Sequence, residues 1–141
     1  MKINALILLK VLMWIVAAMH LVVGLGLALT PGFARYMADV YGAEVNWTPE
    51  FSYIVRPLGT FMIGLGVVAI AAARDPIRYR IVLYALAVVF LARAAQRLIW
   101  ANEVQTAFGL TNSRNVANMV FFTFVGGSIL VLDLLTNVKR K

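Results

Sequence analysis

The stretch Gly64–Trp100, "GLGVVAIAAARDPIRYRIVLYALAVVFLARAAQRLIW", decides the fold. Two apolar runs meet at a short basic turn. With its neighbours, each run reaches the roughly 20 apolar residues that a transmembrane helix needs. Asp75-Pro76 sets a capping side chain before a proline at a first helical position. A membrane-spanning hairpin is expected, with Arg74, Arg78 and Arg80 gathered at its turn.

Working outward, four segments qualify as spans: about Ile3–Leu29, Pro49–Ala73, Pro76–Ala101 and Arg114–Thr136. The expected fold is all-α, a transmembrane four-helix bundle forming a single domain over residues 1–141. Thr48-Pro49-Glu50 repeats the cap-then-proline signal, and Asn112 or Ser113 can cap the fourth helix. Thr30-Pro31 opens a short segment that ends at Gly42. Phe33, Met37, Val40 and Tyr41 share one face of it, so it reads as a short amphipathic helix at the interface. Tyr36, Tyr41 and Trp47 then sit at headgroup level. The apolar N-terminal run is longer than a signal peptide's and is interrupted by Lys10 and His20, so it reads as a mature span.

Composition agrees. The chain is 62% hydrophobic and 13% charged over 141 residues, too apolar to give a soluble domain its polar surface. Its mean hydropathy is +0.87. The absence of cysteine excludes disulfides and thiolate-bound metals. A single histidine, His20, cannot form a multi-histidine metal site within one chain. The net charge of +7 would suggest nucleic acid in a soluble protein. Here no nucleic-acid motif accompanies it, and the charges cluster at the ends of apolar segments.

Those charges set the expected orientation. Lys2, then Arg74, Arg78 and Arg80, then Lys139, Arg140 and Lys141 fall on one side of a four-span chain. The other side has Arg35 and Arg114 together with Asp39, Glu44, Glu50 and Glu103. The positive-inside rule places both termini in the cytoplasm.

Polar residues within the spans are the candidates for function. At 100° per residue, Val89, Arg93, Gln96, Arg97 and Trp100 share one stripe of the third span. Asn115, Asn118, Phe122, Gly126 and Asp133 share a stripe of the fourth. Arg56, Gly59, Thr60, Ile63 and Gly64 share one of the second. Small residues on the same stripes mark helix–helix contact, so the polar groups should face the bundle interior.

Arg56, Arg93, Gln96, Arg97, Asn115, Asn118 and His20 gather toward the outer side. No acidic residue lies in the membrane at that depth. An arginine at mid-bilayer costs from about 2.5 kcal/mol upward. Arg97 can snorkel to the interface, but Arg93, one turn deeper, needs an acceptor. Three readings follow: a cavity for an anionic or polar headgroup, a staple to Asn115, Asn118, loop carbonyls and Glu103, or snorkelling with no partner. Arg56 also reads as an interfacial anchor. Lys10 and Asp133 lie in the cytoplasmic half and are expected to form an ion pair there or to snorkel separately. His20, beside Ala17, Ala18 and Gly24, has space for a haem or chlorin as a single axial ligand. The plainer reading is a buried histidine bonded to another helix.

"RPLGTFMIGLGVVAIAAARDPIRYR", Arg56–Arg80, has an Arg-x-x-Gly start, a central Gly-x-Gly, an alanine-rich end and a basic turn. It resembles a family of small four-span bacterial membrane proteins, broadly DoxX-like in layout. "FLARAAQRL" is similar to the arginine-bearing third span of such proteins. The resemblance implies a four-helix bundle in a bacterial inner membrane and no particular chemistry.

Three functions remain open from the residues. The first is a non-catalytic accessory or binding subunit of a larger membrane assembly, or of a homo-oligomer, holding a lipid, quinone or pigment headgroup. The second is an anion transporter or channel-like oligomer, which needs polar residues through the full membrane thickness. The third is a lipid- or quinone-modifying enzyme, which needs a titratable group beside its substrate. Only His20 offers one, with no carboxylate at its depth.

Overall fold

A computed structural model describes residues 4–30 and 32–138. Ile3, Pro31 and the basic Lys2, Lys139, Arg140 and Lys141 lie outside the described residues. Six helices follow in order: α1 (Ala5–Leu29), α2 (Phe33–Tyr41), α3 (Pro49–Arg74), α4 (Arg80–Ile99), α5 (Ala101–Phe108) and α6 (Asn112–Val138). Of these, α1, α3, α4 and α6 are long and apolar enough to cross a membrane, as expected of a multi-pass membrane protein. They alternate in direction. One end of the bundle, here the chain-terminal end, carries the start of α1, the end of α6 and the Asp75–Tyr79 turn. The other, the loop end, carries α2 and α5.

The helix boundaries follow from local chemistry. Asn4 caps α1 by accepting from the Leu6 amide at 3.2 Å. Thr48 caps α3 by accepting from the Phe51 amide at 3.2 Å, with Pro49 at the first position as anticipated. Asp75 Oδ1 accepts from the Ile77 and Arg78 amides. It therefore caps a turn over residues 76–79, and α4 begins only at Arg80. The expected span from Pro76 to Ala101 is thus shorter at both ends, because the chain breaks again at Trp100 and forms α5. At α6, the Thr111 hydroxyl and carbonyl accept from the Arg114 and Asn115 amides. Thr111 fills the capping role expected of Asn112 or Ser113.

The core joins Leu9, Met13, Val16 and Ala17 of α1 with Ala69 and Ala72 of α3. Leu83, Leu86 and Phe90 of α4 and Phe122, Val125 and Ile129 of α6 complete it. Around it the spanning helices run α3–α1–α6–α4, and α3 and α4 touch only sparsely. The α1–α3 contact is the closest. A Cβ on Gly59 would stand 2.6 Å from the Ala28 nitrogen and 2.7 Å from the Gly24 carbonyl oxygen. One on Gly24 would stand 2.8 Å from the Gly59 oxygen. The two backbones meet directly, which only glycine permits.

At the chain-terminal end, Asp133 is 4% exposed. Arg80 donates to it through Nε (2.9 Å) and Nη2 (2.8 Å), and Tyr84 Oη donates at 3.0 Å. The expected Lys10–Asp133 pair is therefore corrected: the partner of Asp133 is Arg80. The reason is packing, since α6 lies against α4 more extensively than against α1. The guanidinium fork also matches a carboxylate bidentately, as an ammonium cannot.

Two expectations follow for thermal unfolding in detergent. Gly59→Val should lower the midpoint through an overpacking cost of about 1–3 kcal/mol. Gly64→Val, whose Cβ would meet nothing within 4 Å, should not; equal midpoints would contradict the glycine seam. Likewise Asp133→Asn should lower the midpoint and Lys10→Met should leave it in place.

Candidate functional site

Where α3 and α4 separate, a cavity of about 560 Å³ lies between their loop-end halves. Its walls are Phe51, Val55 and Leu58 of α3, Arg93, Gln96 and Arg97 of α4, and Trp100 at the break that follows α4. Leu27 of α1 closes the back. Met37 and Tyr41 of α2 and Val104 and Phe108 of α5 cover the top. The volume falls in the range of about 300–1,000 Å³ typical of small-molecule sites. Leu58 is 51% and Trp100 45% exposed, so the cleft opens sideways between the two helices, where a membrane would hold lipid.

The cover is held from three directions. Gly42, with φ of +69°, ends α2, and the Ala43 amide donates back to the Ala38 carbonyl at 2.8 Å. This left-handed cap suits glycine. The Arg114 side chain of α6 crosses Gly42 closely and donates to the Val40 carbonyl at 3.3 Å. The Glu44 amide donates to the Phe108 carbonyl at 2.7 Å, tying the α2–α3 connection to the end of α5.

The two arginines of α4 have different surroundings. Arg97 Nη1 donates to Asn115 Oδ1 at 3.1 Å, and Asn115 Nδ2 donates back to the Arg97 carbonyl at 3.1 Å. This reciprocal pair joins α4 to α6 and is the staple anticipated from the sequence. Arg93 lies about 9 Å below the end of α4 at 1.5 Å per residue. Its guanidinium carbon stands 4.5 Å from the centroid of the Phe122 ring, and that of Arg97 stands 5.8 Å from the same ring. Among the described residues Arg93 has no hydrogen-bond or ion-pair partner. Its exposed side chain lines the cavity. A cation–π contact contributes about 0.5–2 kcal/mol, less than an arginine costs at depth in a membrane. Glu103 lines the same cavity but is not within ion-pair distance of either guanidinium; the ion pair among the described residues is Arg80–Asp133.

The structure therefore brings together only some of the residues expected to share this site. Arg93, Gln96 and Arg97 line it, and Asn115 supports Arg97 from behind. Asn118 is half-buried on α6 and outside the cavity lining. Arg56 lines a separate, neighbouring cavity with Arg35. His20 is 2% exposed in the core. Its Nδ1 bonds the Val16 carbonyl of its own helix at 2.8 Å, not another helix. Its ring meets Phe90 edge to face at 5.7 Å. Phe90 and Phe122 form the apolar floor beneath the arginines. Sequence reading missed α5, which is too short and too polar to register as a span, and so missed the cover it supplies. Phe122 was on the correct stripe, but nothing in its spacing marked it as the platform for both guanidiniums.

Comparison with protein-family models, curated proteins and solved structures gave no match, so the site is read from its own geometry.

The unequal surroundings have a measurable consequence in delipidated protein. Arg97→Leu leaves the 4%-exposed Asn115 without its donor, a loss of about 1–3 kcal/mol, and should lower the unfolding midpoint. Arg93→Leu strands no partner and should leave the midpoint unchanged or raised. The reverse order would show that Arg93 is a structural staple.

Proposed function

We propose that this protein is a non-catalytic binding or accessory subunit in a bacterial cytoplasmic membrane. In this reading it holds an amphiphile in the cleft between α3 and α4. The ligand's apolar part lies along Val55, Leu58 and Trp100. Its headgroup, of lipid, quinone or pigment type, accepts hydrogen bonds from Arg93 and Gln96. Both termini face the cytoplasm and the cleft opens in the outer leaflet, as the basic residues suggest. The DoxX-like resemblance of Arg56–Arg80 contributes the four-span layout and no chemistry. Assembly with other membrane subunits or with further copies of the chain belongs to the same proposal.

One observation carries this reading: an arginine without a partner among the described residues, seated on an aromatic ring inside a laterally open, largely apolar cleft. A side chain held so is already positioned for a ligand acceptor and loses little freedom on binding. The apolar floor of Phe90 and Phe122 weighs against an anion path through one chain. The burial of His20 against Phe90, outside the cavity lining, weighs against acid–base chemistry on a ligand in the cleft.

Native mass spectrometry of protein extracted in mild detergent tests the proposal. The wild-type chain should carry a bound amphiphile. Arg93→Leu should lose at least nine-tenths of it, and Arg93→Lys should retain a substantial part. Equal occupancy in wild type and Arg93→Leu would overturn the proposal.

A further inference from the structure

A second cavity, of about 350 Å³, adjoins the cleft at the loop end of α1 and α3. It shares the wall residues Leu27, Ala34, Trp47 and Val55 with the cleft. Its charged lining residues are two arginines, Arg35 of α2 and Arg56 of α3, and no carboxylate lines it. Neither guanidinium has a hydrogen-bond or ion-pair partner among the described residues. Arg35 is steadied against the Trp47 ring, 5.8 Å from its centroid. The Ser52 hydroxyl in the same wall donates to the Thr48 carbonyl at 2.9 Å, so the arginines, Thr30 and the Trp47 indole N–H are the side-chain donors left for a guest. Two cations facing one small cavity repel each other until an anion enters. The planar guanidinium fork fits the oxygens of a phosphate.

The position specifies the environment. Tyr36 is 61% exposed beside Arg35, and Leu29, at the cavity's edge, is 74% exposed. An aromatic ring, an exposed leucine and paired arginines at the end of spanning helices describe the boundary between headgroups and acyl chains. We infer that Arg35 and Arg56 form a binding site for a phosphate group, that of an anionic membrane lipid. This site is distinct from the Arg93 cleft and does not depend on it. Arg56, which reads from sequence as an interfacial anchor, then anchors through a specific phosphate.

The test uses the full chain in neutral detergent, with native mass spectrometry and thermal unfolding as readouts. One arm titrates phosphatidylglycerol against phosphatidylcholine, and the other titrates inorganic phosphate in the absence of anionic lipid. Phosphatidylglycerol should bind at least tenfold more tightly than phosphatidylcholine. Measured in an Arg93→Leu background, which removes the contribution of the cleft, the preference should persist; Arg35→Gln/Arg56→Gln added to it should abolish the preference, and Arg35→Lys/Arg56→Lys should keep part of it. A response to inorganic phosphate alone, lost in the glutamine variant, would support the phosphate site and assign it to free phosphate in place of lipid. Equal binding of both lipids without a phosphate response, or a preference unchanged in the glutamine variant, would overturn the site. The Arg93→Leu background keeps this outcome separate from that of the cleft.

Discussion

The backbone contact between Gly24 and Gly59 governs the geometry of the loop end. Two helices that meet without side chains between them come closer than helices separated by leucines. By holding α3 against α1, the seam draws the loop-end half of α3 away from α4. The space left between them is the cleft. Pro57 lies beside the seam within α3. It removes one helical hydrogen bond where the wall of the cleft is formed.

Charge is then distributed along the bundle in three grades. At the chain-terminal end, Asp133 is fully matched by Arg80 and Tyr84. At the loop end, Arg97 is matched by a neutral amide, which satisfies hydrogen bonds but not charge. One turn deeper, Arg93 has an aromatic face and open space. The stripe that carries these arginines is therefore structural at one position and available at the next. An arginine within a spanning helix can do either, and its neighbours decide which.

Much of this was legible in the sequence, because the bilayer demands long apolar helices and leaves hydropathy few alternatives. The four spans, the Thr48 cap, the amphipathic α2 and the shared stripe of Arg93, Gln96 and Arg97 all follow from composition and helical periodicity. Pairing across helices was harder to read. Lys10 and Arg80 both lie in the chain-terminal half, and depth alone could not choose between them for Asp133. Only the packing of α4 on α6 does so. Likewise Arg56 and Gly59 share a stripe, yet Gly59 is buried against α1 while Arg56 is exposed. A 100° stripe is broad enough to include both the contact and its edge. The helix α5 was hidden because Ala101–Phe108 lacks an apolar run, and its ends depend on Trp100 and on the left-handed Gly109.

The central claim is that Arg93 finds its partner in a ligand lying between α3 and α4, not in its own chain. A density map of the protein in a lipid nanodisc tests this most directly. The account predicts an elongated density in the cleft, its polar end within hydrogen-bond distance of Arg93. A map in which α3 closes onto α4, or in which Arg93 is bonded to groups of its own chain and the cleft is empty, would contradict it.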